Sequence, residues 1–153
     1  MMKTRGLYFK ISQNDKYCLN QLFGAFNCQD FFWYNVSEQS EVWSLPDGDD
    51  LFKKNVYSGR TLERRIKKPH KVIFLKFQAY HEKGKYHNIS TYDDWLGSPC
   101  CAMVLIWDCE FVEVYSKDEE LTQRMYESAQ QNGYKEITII TDENDKRVNM
   151  DIL

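Results

Sequence analysis

Proline and glycine are scarce in this chain, three and seven in 153 residues. No stretch rich in Pro, Gly or Ser marks a linker, a repeat or a low-complexity segment. One domain over 1–153 is therefore expected, large enough to bury roughly two thirds of its unfolded surface without a metal or disulfide. Hydrophobic runs are short too, well under the ~20 residues of a membrane-spanning helix. Met1 to Gly6 leads into a strand pattern rather than a signal-peptide core, which points to a cytoplasmic protein with no membrane partner. The three histidines lie outside apolar patterns, so general-base catalysis has few players. A glycine-rich phosphate loop, a G-x-S-x-G elbow, an H-E-x-x-H pair and a cysteine–histidine nucleophile are all missing. No catalytic residue, metal site or cofactor is assigned from the sequence. An enzyme survives only as an alternative built on a carboxylate pair that spacing cannot locate.

Cysteine is odd in number, five, and with no secretion signal the expectation is reduced thiols. Cys18, Cys101 and Cys109 fall in apolar patterns and are expected as packed small hydrophobes. His81, His87, Cys100 and Cys101 are the soft ligands nearest one another, but zinc ligands usually pair about two to four residues apart. Here the histidines are too far apart and the cysteines adjacent. The vicinal cysteines also lack a clear activating charge.

The strongest pattern runs from Cys100 to Thr141. Ala102–Trp107 is an unbroken apolar run too short for a buried helix, so it reads as a central strand covered on both faces. Asp108-Cys109-Glu110 turns the chain. Phe111–Tyr115 returns with Val112 and Val114 on one face and Glu113 on a wetter one. Ser116-Lys117-Asp118-Glu119 has capping-box spacing and predicts a helix over 117–132 with Leu121, Met125 and Ala129 inward. Glu120 and Arg124 can pair on its outer side. Gly133 ends it, and Ile137, Ile139 and Ile140 form the next strand.

Earlier in the chain, Leu7, Phe9 and Ile11 predict a strand, and Leu19, Leu22, Phe23 and Phe26 a helix over 13–26 behind a weak Ser12/Asp15 box. Phe31–Val36 reads as a strand with Val42–Leu45 as its hairpin partner, followed by a Pro46-Asp47-Gly48 turn. Ser58–Lys68 reads as a helix, with only Leu62 and Ile66 apolar, stopped by Pro69. Val72–Tyr80 is a long strand beside 102–107. Ser90 or Thr91 caps a helical turn through Trp95, and a polar turn over 142–147 precedes an edge strand at 148–152. The fold class is thus α+β: a mixed, largely antiparallel sheet of about five to seven strands with helices mainly on one face.

Charge is uneven. From Lys53 to Lys76 there are nine basic residues against one acid, net +8, which leaves −11 for the remainder of a chain whose total is −3. Arg60, Arg64, Arg65, Lys67 and Lys68, with Lys71 beyond, form the leading candidate site, suited to an acidic protein surface or a phosphate backbone. The competing reading is a solvated helix whose cations favour its C-terminal end. The acidic remainder argues against a long polyanion, so nucleic acid ranks below a protein partner. Tyr80, Tyr86, Tyr92 and Trp95 flank the one long loop, where aromatics anchor partners or cover a sheet edge; Tyr92 and Trp95 join the candidate site. Asp142, Glu143, Asn144 and Asp145 lack calcium-loop spacing and stand as a weak interaction site or an anchor for Arg147. A homodimer through the 148–152 edge would cover an open sheet edge.

Phe77-Gln78-Ala79-Tyr80, Ser90-Thr91-Tyr92-Asp93-Asp94, Tyr115-Ser116-Lys117-Asp118 and Ile140-Thr141-Asp142-Glu143-Asn144-Asp145 resemble a family of small, single-domain bacterial proteins of unknown function from spore-forming Gram-positive species. The resemblance spans Gly6 to Met150. It implies a bacterial one-domain protein and transfers no activity, cofactor or catalytic residue. The leading functional expectation is a non-enzymatic protein-binding module of immunity or regulatory type. Nucleic-acid or polyanion binding through the basic helix 60–71 follows it. The distinguishing feature is whether that helix and the 81–95 loop share one side.

Overall fold

The computed structural model describes residues 3–145 and 147–152, so Met1, Met2, Leu153 and Lys146, the last within the expected polar turn, lie outside the described residues. Twelve strands and helices follow one another: β1 (Thr4–Lys10), α1 (Cys18–Phe23), β2 (Phe32–Asn35), β3 (Glu41–Ser44), β4 (Val56–Ser58), α2 (Gly59–Ile66), β5 (His70–Tyr80), α3 (Tyr92–Leu96), β6 (Ala102–Trp107), β7 (Phe111–Ser116), α4 (Glu119–Gln131) and β8 (Lys135–Thr141). The eight strands form one sheet in the order β4-β2-β5-β6-β7-β1-β8, with β3 also on β5. Every pairing is antiparallel.

β6 sits at the middle of that order, and its apolar run has the physical consequence expected of it. Val104 and Ile106 join one core while Met103 and Leu105 join another on the opposite face, all fully buried. The first core is roofed by α1, α2 and α4 through Leu19, Leu22, Leu62, Ile66, Leu121 and Met125. The second is covered by α3, the 81–91 loop and the C-terminal segment through Ile89, Tyr92, Trp95 and Met150. Helices therefore lie mainly on one face, with short α3 on the other. Trp33 is fully buried in the first core, edge-on to Phe23 and Phe26.

Several expectations are corrected. Val42–Leu45 does not pair with Phe31–Val36. A short 3-10 turn at Ser37–Gln39 bends the chain without reversing it, so β2 and β3 follow one another along the same edge of β5, whose 11 residues are long enough for both. The helix expected over 13–26 is shortened to Cys18–Phe23, because Ser12 and Asp15 side chains accept from the amides of Asn14 and Tyr17 and hold those residues in turns. Ser116 does not cap α4. It remains in β7 with its hydroxyl on the Asp118 amide, and Asp118 is the cap, accepting from Glu120 N at 2.9 Å. Glu120 and Arg124 make no ion pair among the described residues. Gly133 does adopt positive φ, and Thr91 and Asp94 complete a capping box on α3.

The 148–152 edge strand does not form. Asn149 makes a single bridge to Thr91, and the segment lies across the second face as a strap, with Tyr92 N donating to Val148 O and Met150 N to Ser90 O. The outer edge of β8 is partly blocked: the Asn144 side-chain amide donates to Ile139 O at 2.9 Å and accepts from Thr141 N at 2.8 Å. One amide thus imitates a residue of a further strand.

Candidate functional site

The basic segment folds as expected and is held firmly. Ser58 caps α2 by accepting from Thr61 N, Leu62 and Ile66 are buried, and Gly59 sits so close to the preceding chain that a Cβ there would lie 1.9 Å from Cys28 O. α2 therefore packs its first turn against residues 28–30 and turns its polar side to solvent. Arg60, Arg64, Lys67 and Lys68 are exposed and Arg65 half-buried.

A cleft of about 280 Å³ opens beside this helix, lined by Lys54, Tyr57, Thr61, Arg64, Arg65 and Lys68. The ring of Tyr57 is buried, and its hydroxyl accepts from Lys54 N at 2.9 Å, which ties the loop carrying Lys54 to the cleft wall. Among the described residues no cation from Lys53 to Lys68 has a carboxylate within salt-bridge distance. Like charges crowded on one helix repel, so an anion entering the cleft would relieve them as well as bind.

The structure brings together Arg64, Arg65 and Lys68. Arg60, on the same helix, and Lys67, its C-cap, lie outside the cleft. Lys71 points elsewhere and donates to Gln13 O at 2.8 Å. Lys54, Tyr57 and Thr61 were missed as site residues, although Lys54 belongs to the basic run that the charge count had marked.

Tyr92 and Trp95 are corrected as partner anchors. They are 8% and 1% exposed and form part of the second core, with Tyr115 at their edge. α2 and α3 lie on opposite faces of the sheet, so the basic helix and the loop end at 91–95 do not make one surface. Tyr80 is also buried, bonded to Gln78, and Tyr86 stacks on Tyr34.

The acidic turn is engaged within the molecule. Arg5 Nε donates to Asp142 Oδ1 at 2.9 Å, and its guanidinium lies 3.8 Å above the Tyr92 ring. Arg147 does not use the turn's carboxylates for its side chain; its Nη2 donates to Glu113 Oε1 at 2.8 Å. Glu113 is no wet strand residue but 8% exposed. The Tyr115 hydroxyl lies between Glu113 Oε2 and Asp145 Oδ2. A hollow of about 270 Å³ opens above this group between Arg5, Tyr92, Asp142, Asp145 and Arg147. Glu113 and Asp145, 32 positions apart in sequence, are thus brought to the two sides of one hydroxyl.

The cysteines are all free. Cys28 and Cys100 are buried together with Cys18, whereas Cys101 and Cys109 are only half-buried, which reverses part of the expected assignment. Burial pushes the Cys100 thiol up to about 12, so the vicinal pair has no ready thiolate there. Among the described residues no group of three or more His, Cys, Asp or Glu side chains is placed to hold a metal ion. A larger cavity, about 510 Å³, lies between the 11–15 loop and the 132–136 turn, with the Lys10–Glu136 ion pair on its wall.

These features define an α+β protein of one antiparallel sheet, with a cation-lined cleft on one face and a strapped polar cluster on the other. The chain belongs to the DUF2691 family, described as a protein of unknown function, whose model matches residues 4–151. It is similar to the "Uncharacterized protein YncE" of Bacillus subtilis (strain 168), 24% identical over 152 residues that cover 97% of this chain and 99% of that protein. That organism is a spore-forming Gram-positive bacterium, as the resemblance implied. No solved structure matches.

Proposed function

We propose that this chain is a non-enzymatic protein-binding module, of immunity or regulatory type, that docks an acidic partner at the α2 cleft. The observation that carries the reading is the run of cations from Lys53 to Lys68 that find no carboxylate among the described residues while two elements shape them around a cleft. Guanidinium groups are weakly hydrated and fork onto carboxylates, which suits a protein carboxylate cluster. The acidic remainder of the chain favours a compact acidic patch over a long polyanion, whose flanking charges it would repel. The reading is of a cytoplasmic protein, in keeping with five free thiols.

The test is capture from host lysate by the unaltered chain and by an R64A/R65A/K68A variant, at low salt and at about 0.15 M, where exposed charges are screened beyond roughly 8 Å. A protein retained by the first bait at the higher salt and lost from the second supports the reading. Equal capture by both baits refutes it. Nucleic acid alone, released by salt, would transfer the cleft to polyanion binding.

A further inference from the structure

Tyr115 carries one hydroxyl proton, yet its oxygen lies 2.8 Å from Glu113 Oε2 and 2.7 Å from Asp145 Oδ2. Both separations are those of O–H···O hydrogen bonds. If both carboxylates were ionised, one contact would set lone pair against lone pair inside a covered site, where unmade hydrogen bonds are costly. A second proton is required.

Counting donors locates it. Asp145 Oδ1 accepts from the Arg147 amide at 3.2 Å, and Asp145 Oδ2 has Arg5 Nη1 at 3.5 Å besides the hydroxyl. Glu113 Oε1 accepts from Arg147 Nη2. Among the described residues Glu113 Oε2 has the Tyr115 hydroxyl as its one hydrogen-bond partner. We propose that Glu113, Tyr115 and Asp145 form a proton-binding site that fastens the C-terminal strap to the sheet. The proton resides on Glu113 Oε2, which donates to the Tyr115 oxygen, and the hydroxyl donates onward to Asp145 Oδ2. The chain of bonds crosses from β7 to the turn that leads into the strap, so the bound proton is part of the fastening.

The groups around it are Arg5 and Tyr8 from β1, Tyr92 and Asp93 from α3, and Asp142, Asp145 and Arg147 from the turn that leads into the strap. Among the described residues four carboxylates, counting Glu113, meet two guanidinium groups, and one added proton reduces that excess negative charge. Burial pushes the Glu113 carboxyl above its ordinary 4.5, with Arg147 pulling the other way. A carboxyl raised in the folded state lends stability that is fully present below the unfolded value and is lost as pH rises through the folded one. Proton loss leaves two carboxylates competing for one donor, and the strap's hold weakens. The site therefore loosens the strap on the alkaline side of Glu113's titration.

The test uses the full chain. Carbon-13 NMR follows the Glu113 carboxyl with pH, with D145N for comparison, and hydrogen exchange follows the Met150 amide, which is bonded to Ser90 O. The expected results are a Glu113 midpoint above 4.5 that falls in D145N, because burial alone would not respond to the loss of the neighbouring charge. Met150 protection, corrected for intrinsic exchange, should fall across that midpoint. E113Q, whose amide can donate to Tyr115 and accept from Arg147, should keep its protection across the pH range in which the unaltered chain loses it. A Glu113 midpoint at or below 4.5 in the unaltered chain overturns the proposal, as does E113Q losing protection in parallel with it. Should E113Q fail to fold, the NMR midpoint and its shift in D145N decide.

Discussion

Lys76 offers the sharpest test of how the strap is held. Its side chain is 1% exposed, and Nζ donates to Ile89 O at 2.6 Å and to Asp151 Oδ1 at 3.1 Å. Removing one partner of a buried pair typically costs about 3–5 kcal/mol because a charge is stranded. Asp151 is 29% exposed, so water can partly replace it, and D151A is expected at about 2–3 kcal/mol, including the lost bond from Gln39. K76M fills the same volume without a charge and lets Asp151 hydrate, leaving mainly the Ile89 carbonyl unpaired at about 1–2 kcal/mol. In the double variant the stranded ammonium is gone, so the cost should be less than the two single costs together by about 1–2 kcal/mol. Urea denaturation of the four chains measures this. Additivity within about 0.5 kcal/mol would refute the pairing, and with it the placement of the strap over β5. The pH dependence has a definite sign. Burial raises the Asp151 carboxyl, but bonds from Gln39 and Lys76 outweigh it and hold the group below its ordinary 3.8. Its contribution is therefore present above that value and fades as pH falls through the lower folded one, so the coupling should vanish in strong acid.

Two further expectations concern the β8 edge and the thiols. N144A removes the amide that occupies Ile139 O and Thr141 N; it should cost about 1 kcal/mol and make sedimentation concentration-dependent where the unaltered chain's is not, and identical sedimentation of the two would sink the edge-plug role. Of the adjacent cysteines, Cys101 should react with a thiol reagent in the native protein well before Cys100, which is fully buried with its thiol raised to about 12; mass spectrometry of partly labelled protein checks the order, and Cys100 reacting first would contradict the packing.

The site was legible in the sequence where it depended on composition and not where it depended on closure. Arg64, Arg65 and Lys68 could be named because charge is a local property of the chain. That Lys54 and Tyr57 complete a cleft with them required β4 to lead α2 in against residues 28–30. Tyr92 and Trp95 were misjudged because loop aromatics serve equally as anchors and as core. The choice was made by a C-terminal segment that read as an edge strand and became a cover.

By itself the sequence determined the elements whose pattern is complete within a few residues. These are the doubly covered strand β6, the inward stripe of α4 ended by Gly133, and the capped helical turn through Trp95, whose cap only the structure assigns to Thr91 rather than Ser90. Period and capping are local, and burial of apolar area drives them wherever the element lands. Tertiary structure alone decided that β2 and β3 share one edge of β5, and that Lys76 and Glu113, polar in any local window, lie inside. A polar side chain in a strand is outward only if nothing covers that face. Here the strap and the turn before it do, and they bring the Asp151 and Arg147 partners that make burying them tolerable.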